Sequence, residues 1–205
     1  MTGPQAVLVG PMGVGKSTVG RLLAGLLGVG FRDTDDDVEA VEGRTIAEIF
    51  GDEGEPGFRA IEKRAVHRAL AEHDGVLALG GGAILDADTR TALVALRTVH
   101  LSMDVEEAVR RTGLDTARPR PLLAENPRER WQELMEARRH LYEGIATAVV
   151  ATDGRPPEEV ARAVLDAMDA LDALDEIATD GTTHGRNPRV GGSGWSRPRR
   201  RAHAG

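Results

Sequence analysis

Ala6-Val7-Leu8-Val9, running into Gly10-Pro11-Met12-Gly13-Val14-Gly15-Lys16-Ser17, decides how this 205-residue chain is read. Four apolar residues that stop at a glycine read as a short, buried, parallel strand. From Lys16 to Leu27 the apolar positions Val19, Leu22, Leu23, Leu26 and Leu27 recur at helical spacing, and Gly28 ends the helix. The residues joining strand to helix fit G-x-x-x-x-G-K-[ST]. Glycines in that loop let the backbone wrap around phosphate and present N–H donors at the positive end of a helix. Lys16 is then placed to reach the β- and γ-phosphates, and Ser17 to offer its hydroxyl to Mg²⁺. A glycine-rich turn without a ligand is the bland alternative, and the flanking strand and helix weigh against it. The motif points to a nucleoside triphosphate and leaves the reaction open.

Outward from this loop, strands and helices alternate. Val29–Arg32 reads as a second strand entering an acidic cluster at Asp33–Asp37. Helices are expected over much of Val38–His73, broken near Glu42-Gly43 and again between Asp52 and Gly57. Val76–Leu79 is a third strand closed by Gly80-Gly81-Gly82, Leu93–Leu96 looks helical, Thr98–Leu101 is a fourth strand, and Asp104–Arg111 the helix after it. Thr112–Asn126, with Pro119, Pro121 and several arginines, reads as a mobile segment. Glu129–Tyr142 is amphipathic, Ala148–Val150 a fifth strand, and Pro157–Leu174 a terminal helix. The alternation predicts an α/β fold with a parallel sheet.

Composition is that of a soluble globular protein, 40% hydrophobic and 29% charged, with only 3% aromatic residues, so the core must come from Ala, Val, Leu and Ile. There is no cysteine, hence no disulfide or thiolate metal site. No basic run precedes an apolar stretch at the N-terminus, and no segment approaches the ~20 apolar residues that span a bilayer. The expectation is a cytoplasmic protein. The net charge of −7 is unevenly spread: from Gly181 to Gly205 there are six arginines and no acid, which leaves 20 basic against 33 acidic residues in the rest. Such a body repels nucleic acid, whereas the tail alone could bind polyanions. The main domain is read as 1–175 and the remainder, 176–205, as a disordered basic tail; periodicity is lost after Asp180, and Trp195 has no apolar neighbours in sequence.

Three further patches bear on the reaction. Asp33-Thr34-Asp35 closes the second strand at its C-terminal end, where ligands gather in open α/β sheets. Two carboxylates there could serve a Mg²⁺ site and an acceptor hydroxyl, or equally cap the next helix. Gly80, Gly81 and Gly82 suggest backbone brought close to a ligand, with a flexible loop as the competing reading. Arg59, Arg118, Arg120 and Arg138 are forked donors of the kind that an anionic substrate and a phosphoryl transition state require.

Taken together, Gly10–Thr18, Asp33-Thr34-Asp35, Phe58-Arg59 with Glu62, Leu79–Ala83, Arg110-Arg111-Thr112-Gly113, Arg120-Pro121-Leu122-Leu123 and Arg138 with Leu141-Tyr142 resemble the shikimate kinase family, in order and nearly in spacing, over about Gln5–Leu174. The resemblance implies the nucleoside monophosphate kinase-like fold, a five-stranded parallel sheet flanked by helices with a lid at about 112–126. It implies transfer of the ATP γ-phosphoryl to shikimate, a monomer, and Mg²⁺ as cofactor. It also implies roles. Gly13, Val14, Gly15, Lys16, Ser17, Thr18, Arg111, Arg120 and Pro157 would bind nucleotide. Ser17 and Asp33 would hold Mg²⁺. Asp35 would accept the acceptor hydroxyl's hydrogen bond as base, and Lys16 and Arg120 would stabilise the transferring group. Arg59, Arg138 and the N–H groups of Gly80–Gly82 would clamp the carboxylate, with Phe50 and Phe58 as apolar wall and Glu62 orienting Arg59.

Two features depart from the family pattern. Ala117-Arg118-Pro119-Arg120-Pro121 duplicates the expected Arg-Pro, so Arg118 competes with Arg120 as lid arginine, and the tail has no counterpart. The remaining alternatives are a kinase of the same fold acting on gluconate or a nucleoside monophosphate, a nucleotide-dependent switch, and RNA binding through the tail. The combined acceptor patches argue against the first two.

Overall fold

The strand that precedes the glycine-rich loop, β1 (Ala6–Val9), lies at the centre of a five-stranded parallel sheet of order β2-β3-β1-β4-β5. The computed structural model describes residues 3–114 and 127–181. The other strands are β2 (Phe31–Asp33), β3 (Val76–Ala78), β4 (Thr98–Ser102) and β5 (Ala148–Ala151). The helices are α1 (Lys16–Leu27), α2 (Thr34–Glu42), α3 (Ile46–Glu72), α4 (Ala87–Val94), α5 (Val105–Leu114), α6 (Pro127–Ile145) and α7 (Pro157–Gly181). The expected sheet is therefore present, with element ends shifted; the helix read at Leu93–Leu96 is α4, which starts at Ala87 and ends at Val94. The second strand starts at Phe31 rather than Val29, because its ladder with β3 opens at Phe31↔Val76. The last helix continues past Leu174 to Gly181, into the segment assigned to the tail; the rest of that tail, the duplicated Arg-Pro and both lid candidates, Arg118 and Arg120, lie outside the described residues.

Side chains of β1 alternate between two cores, as strand geometry requires. Ala6 and Leu8 join Val19, Leu23, Val99, Leu101, Val160 and Val164, whereas Val7 and Val9 join Val66, Leu77, Leu79, Leu93 and Tyr142. Burial on both faces explains why β1 is apolar throughout. A third, smaller cluster of Val38, Ile49, Phe58, Ile61 and Ala65 holds α2 against α3.

Local signals set the helix ends near the site. The Asp33 side chain accepts a bond from the Asp35 N–H and so caps α2. Thr45 and Glu48 form a reciprocal capping box at the start of α3. The expected break within 52–57 is a non-helical Gly54 (φ 68, ψ −179), two residues ahead of Pro56. The chain divides after Ala170: Met1–Ala170 holds the sheet and its flanking helices, and beyond it the described residues are the last turns of α7. Among the described residues no helix is long and apolar enough to cross a membrane.

Candidate active site

Strand order reverses direction at β1, whose neighbours are β3 and β4, and the loop leaving its C-terminal end therefore opens into the crevice where α/β sheets take ligands. A cleft of about 820 Å³ lies there. Its walls include Gly13, Gly15, Lys16, Ser17 and Thr18 from the loop, Asp33 and Asp35 from the end of β2, and Phe50, Phe58 and Arg59 from α3. Gly81, Gly82, Arg111 and Arg138 complete it. Most of the residues singled out in the sequence, drawn from segments more than a hundred positions apart, thus share one cavity.

In the phosphate-binding loop the Lys16 ammonium donates to the carbonyls of Gly10 (2.9 Å) and Pro11 (3.0 Å). The Ser17 hydroxyl donates to Asp33 Oδ2 at 2.6 Å, while Asp33 Oδ1 accepts from the Asp35 N–H at 3.0 Å. The capping reading of Asp33 is therefore seen in one oxygen, while the other oxygen lies beside Ser17. A hydroxyl and a carboxylate oxygen in contact fit Mg²⁺, a hard cation that takes one or two protein oxygens and draws the rest from water and phosphate. Asp35 sits in the first turn of α2.

The glycine run after β3 packs on charged side chains. A methyl group at Gly80 would lie 2.5 Å from Asp35 Oδ1 and 2.6 Å from Glu62 Oε1, and one at Gly82 would fall on the Arg59 guanidinium. Only glycine allows this approach, so the run is neither a simple turn nor slack. Gly80 itself is behind the cleft wall, and its N–H donates to Thr34 Oγ1 at 3.0 Å. Thr34 is fully buried and ties the acidic end of β2 to the glycine run. Sequence reasoning missed it, because nothing in a threonine between two aspartates signals a partner forty-six residues away.

The arginines differ in their partners. Arg59 bonds Glu62 at 2.6 Å and Glu55 at 3.0 Å, and lies over the Phe58 ring, which in turn packs on Phe50. Burial opposes its charge, yet the two carboxylates prevail and raise its pKa. Glu62 is itself buried; desolvation pushes its pKa up, against the pull of Arg59 and Arg138. Arg138 is 7% exposed and, among the described residues, makes one hydrogen bond, to the Gly81 carbonyl at 3.3 Å, and no ion pair. Desolvation, with Arg59 adding to it, lowers its pKa despite opposing contributions from Tyr142 and the nearby acids. Arg111 is tethered to Glu107, to the Val14 carbonyl and to Thr152, at the nucleotide end of the loop. Val14 is buried in the core and contributes backbone rather than side chain. Pro157, expected beside the nucleotide, is the exposed first residue of α7 and is not among the residues lining the cleft.

A family model for shikimate kinase matches residues 12–169. Over 168 residues the chain is 74% identical to the shikimate kinase of Streptomyces avermitilis, covering 82% of this chain and 97% of that one. The chain belongs to the shikimate kinase family. The shikimate kinase of Streptomyces coelicolor is 71% identical over the same shares. Among solved structures, shikimate kinase from Acinetobacter baumannii in complex with shikimate matches with a TM-score of 0.78 at 38% identity, covering 83% of this chain and 94% of that one.

Within this shikimate kinase fold His100 went unread in the sequence, and Tyr142 was read as part of a motif without a task. His100 on β4 stacks on Tyr142 (ring centroids 4.6 Å apart, 6° between planes), and the Tyr142 hydroxyl donates to the Gly81 carbonyl at 2.9 Å. His100 sits inside an apolar strand, where its neighbours gave no hint of a ring-on-ring contact with α6. Both its ring nitrogens are buried without a partner among the described residues, and burial, helped by the Lys16 charge, lowers its pKa to about 4. Between pH 6.5 and about 4 the unfolded chain therefore binds a proton that the folded chain excludes. Stability is full above this window and falls as pH drops through it, by up to about 3 kcal/mol. Thermal midpoints from pH 7 to pH 4 should fall less steeply for His100→Phe than for the parent; equal slopes would refute the assignment.

Proposed function

We propose that the chain transfers the γ-phosphoryl group of ATP to a hydroxyl of shikimate, yielding shikimate 3-phosphate on the route to chorismate and the aromatic amino acids. The observation that carries the choice of acceptor is Arg138. A buried guanidinium that makes no ion pair with a carboxylate among the described residues, in the same cleft as the phosphate-binding loop, calls for an anionic ligand. Shikimate supplies a carboxylate for that cation and ring hydroxyls for phosphorylation.

In this reading Lys16 exchanges the carbonyls of Gly10 and Pro11 for the β- and γ-phosphates. Ser17 and Asp33 would hold Mg²⁺, whose charge offsets that of the phosphates when bound. Asp35 takes the hydrogen bond of the acceptor hydroxyl and orients it for in-line attack. Arg59 and Arg138, with backbone N–H groups of the glycine run, hold the carboxylate, and Glu62 orients Arg59 through their 2.6 Å contact. Phe50 and Phe58 face the sugar-like ring, Arg111 lies against the base with Pro157 nearby, and an arginine of the Arg118/Arg120 pair closes over the phosphates. Positioning and charge stabilisation suffice for such a transfer, since the phosphoryl group passes through a loose transition state.

The direct test is ADP production by the purified chain with ATP and Mg²⁺, with and without shikimate. Strong dependence on shikimate, with gluconate and nucleoside monophosphates inert, is expected; indifference to shikimate would overturn the acceptor assignment. Arg138→Ala should raise KM for shikimate by about 10–100-fold, as loss of a charge-assisted contact predicts, with a smaller change in kcat. An unchanged KM would mean that the carboxylate is held elsewhere.

A further inference from the structure

The carbonyl of Gly81 receives two donors from α6, Arg138 Nη1 at 3.3 Å and the Tyr142 hydroxyl at 2.9 Å. A trans peptide is planar, and its N–H points opposite to its C=O. Fixing the Gly81 carbonyl toward α6 therefore fixes the direction of the Gly82 N–H. Gly82 is buried and lines the cleft, yet among the described residues neither the Gly81 nor the Gly82 N–H donates a hydrogen bond. Buried backbone donors are almost always paired, so an unpaired one facing a cavity is a place for an acceptor atom.

Tyr142 is unusually well fixed for this task. It is 1% exposed, packed in the core with Val9 and Leu79, and held flat against the His100 ring. His100 pairs in register with Val9, the last residue of β1 before the phosphate-binding loop. On its other side the Gly81 peptide abuts that loop: a methyl group at Gly81 would lie 3.2 Å from the Met12 nitrogen. We propose that Tyr142 is a positioning residue of the acceptor site: its hydroxyl, backed by His100, orients the Gly81–Gly82 peptide so that the Gly82 N–H meets the acceptor carboxylate. Tyr142 touches neither substrate and acts through the peptide. The inference rests on the reading of the glycine run as part of the carboxylate clamp.

The experiment compares kcat/KM for shikimate with kcat/KM for its neutral carboxamide, in the parent and in Tyr142→Phe, which keeps the ring and removes only the hydroxyl. The parent should strongly prefer shikimate. In Tyr142→Phe that preference should fall about fivefold, the worth of one hydrogen bond, through a higher KM for shikimate. KM for ATP and the thermal midpoint should stay close to those of the parent. A merely structural tyrosine would lower activity toward both acceptors alike, leaving the preference unchanged, and that result would overturn the inference. A parent enzyme indifferent to the carboxylate would instead overturn the clamp on which it rests. If Tyr142→Phe does not fold at the assay temperature, His100→Ala carries the same test, because it keeps the hydroxyl and removes the ring that holds it; the preference should fall there too, and an unchanged preference overturns the inference.

Discussion

Lys16→Ala is expected to lower kcat by about 10³-fold while the chain stays folded. The lysine is the cation of the phosphate-binding loop, and charge accumulates on the phosphoryl oxygens only as the transfer proceeds. Its contribution is therefore concentrated in the transition state, where loss of one preorganised donor costs about 10²–10³-fold and removal of a full charge falls at the upper end. The fold should survive because the side-chain bonds seen for Lys16 run to loop carbonyls, those of Gly10 and Pro11, and not into the core. Two such bonds are worth about 2 kcal/mol, a shift of about 4–8 °C in thermal midpoint for a domain of this size. Steady-state ADP release and a thermal melt on the same preparation measure both quantities. A kcat within tenfold of the parent would remove Lys16 from the chemistry, whatever the melt shows.

Asp35→Asn should reduce kcat by about 10²–10⁴-fold, the usual range for loss of a positioned general base. The substitution preserves size and removes the charge that draws the acceptor proton. Its backbone N–H, which the cap of α2 uses, is untouched, so the helix start formed by Asp33 remains. KM for ATP should change little, since the phosphate contacts come from another element. The contrasting variant is Asp33→Asn, which disturbs the oxygen beside Ser17 and should instead raise the Mg²⁺ concentration needed for half-maximal rate. If Asp35→Asn kept more than a tenth of the parental kcat, the base would have to be sought elsewhere or dispensed with.

How much of this was legible in the sequence depended on the range of the interaction. The phosphate-binding loop was fully readable, because its strand, glycines, lysine and helix are contiguous and each is dictated by local backbone chemistry. The break in α3 was readable for the same reason, from glycines and Pro56 in a helical run. Asp33 left two readings open, and the structure shows the cap in one oxygen while leaving the other, beside Ser17, available for the second reading. What escaped was every contact whose meaning lies across the fold. Thr34 looked like filler between acids until its bond to Gly80 was seen. Tyr142 was noticed only as part of a motif, without a task, because its hydroxyl reaches Gly81 through tertiary packing alone. His100 belongs to an apolar strand by pattern, and by register it stands beside Val9, the last residue of β1, with its ring on Tyr142. Pro157, which the family resemblance set near the nucleotide, is the exposed first residue of α7 and is not among the residues lining this cleft.

With the roles proposed above, the pairing of Lys16 with the loop carbonyls, and of Ser17 with Asp33, would make nucleotide capture a swap of partners for these two side chains. Each bond made to a phosphate or a metal is offset by one given up inside the protein, so the net driving force is a modest difference between similar terms. Departure of the spent nucleotide is correspondingly easy, because the carbonyls of Gly10 and Pro11 and the carboxylate of Asp33 stand ready to take their donors back. On those roles the Lys16 ammonium and the Ser17 hydroxyl have acceptors at both ends of the cycle, and the lysine charge is never left without oxygen partners.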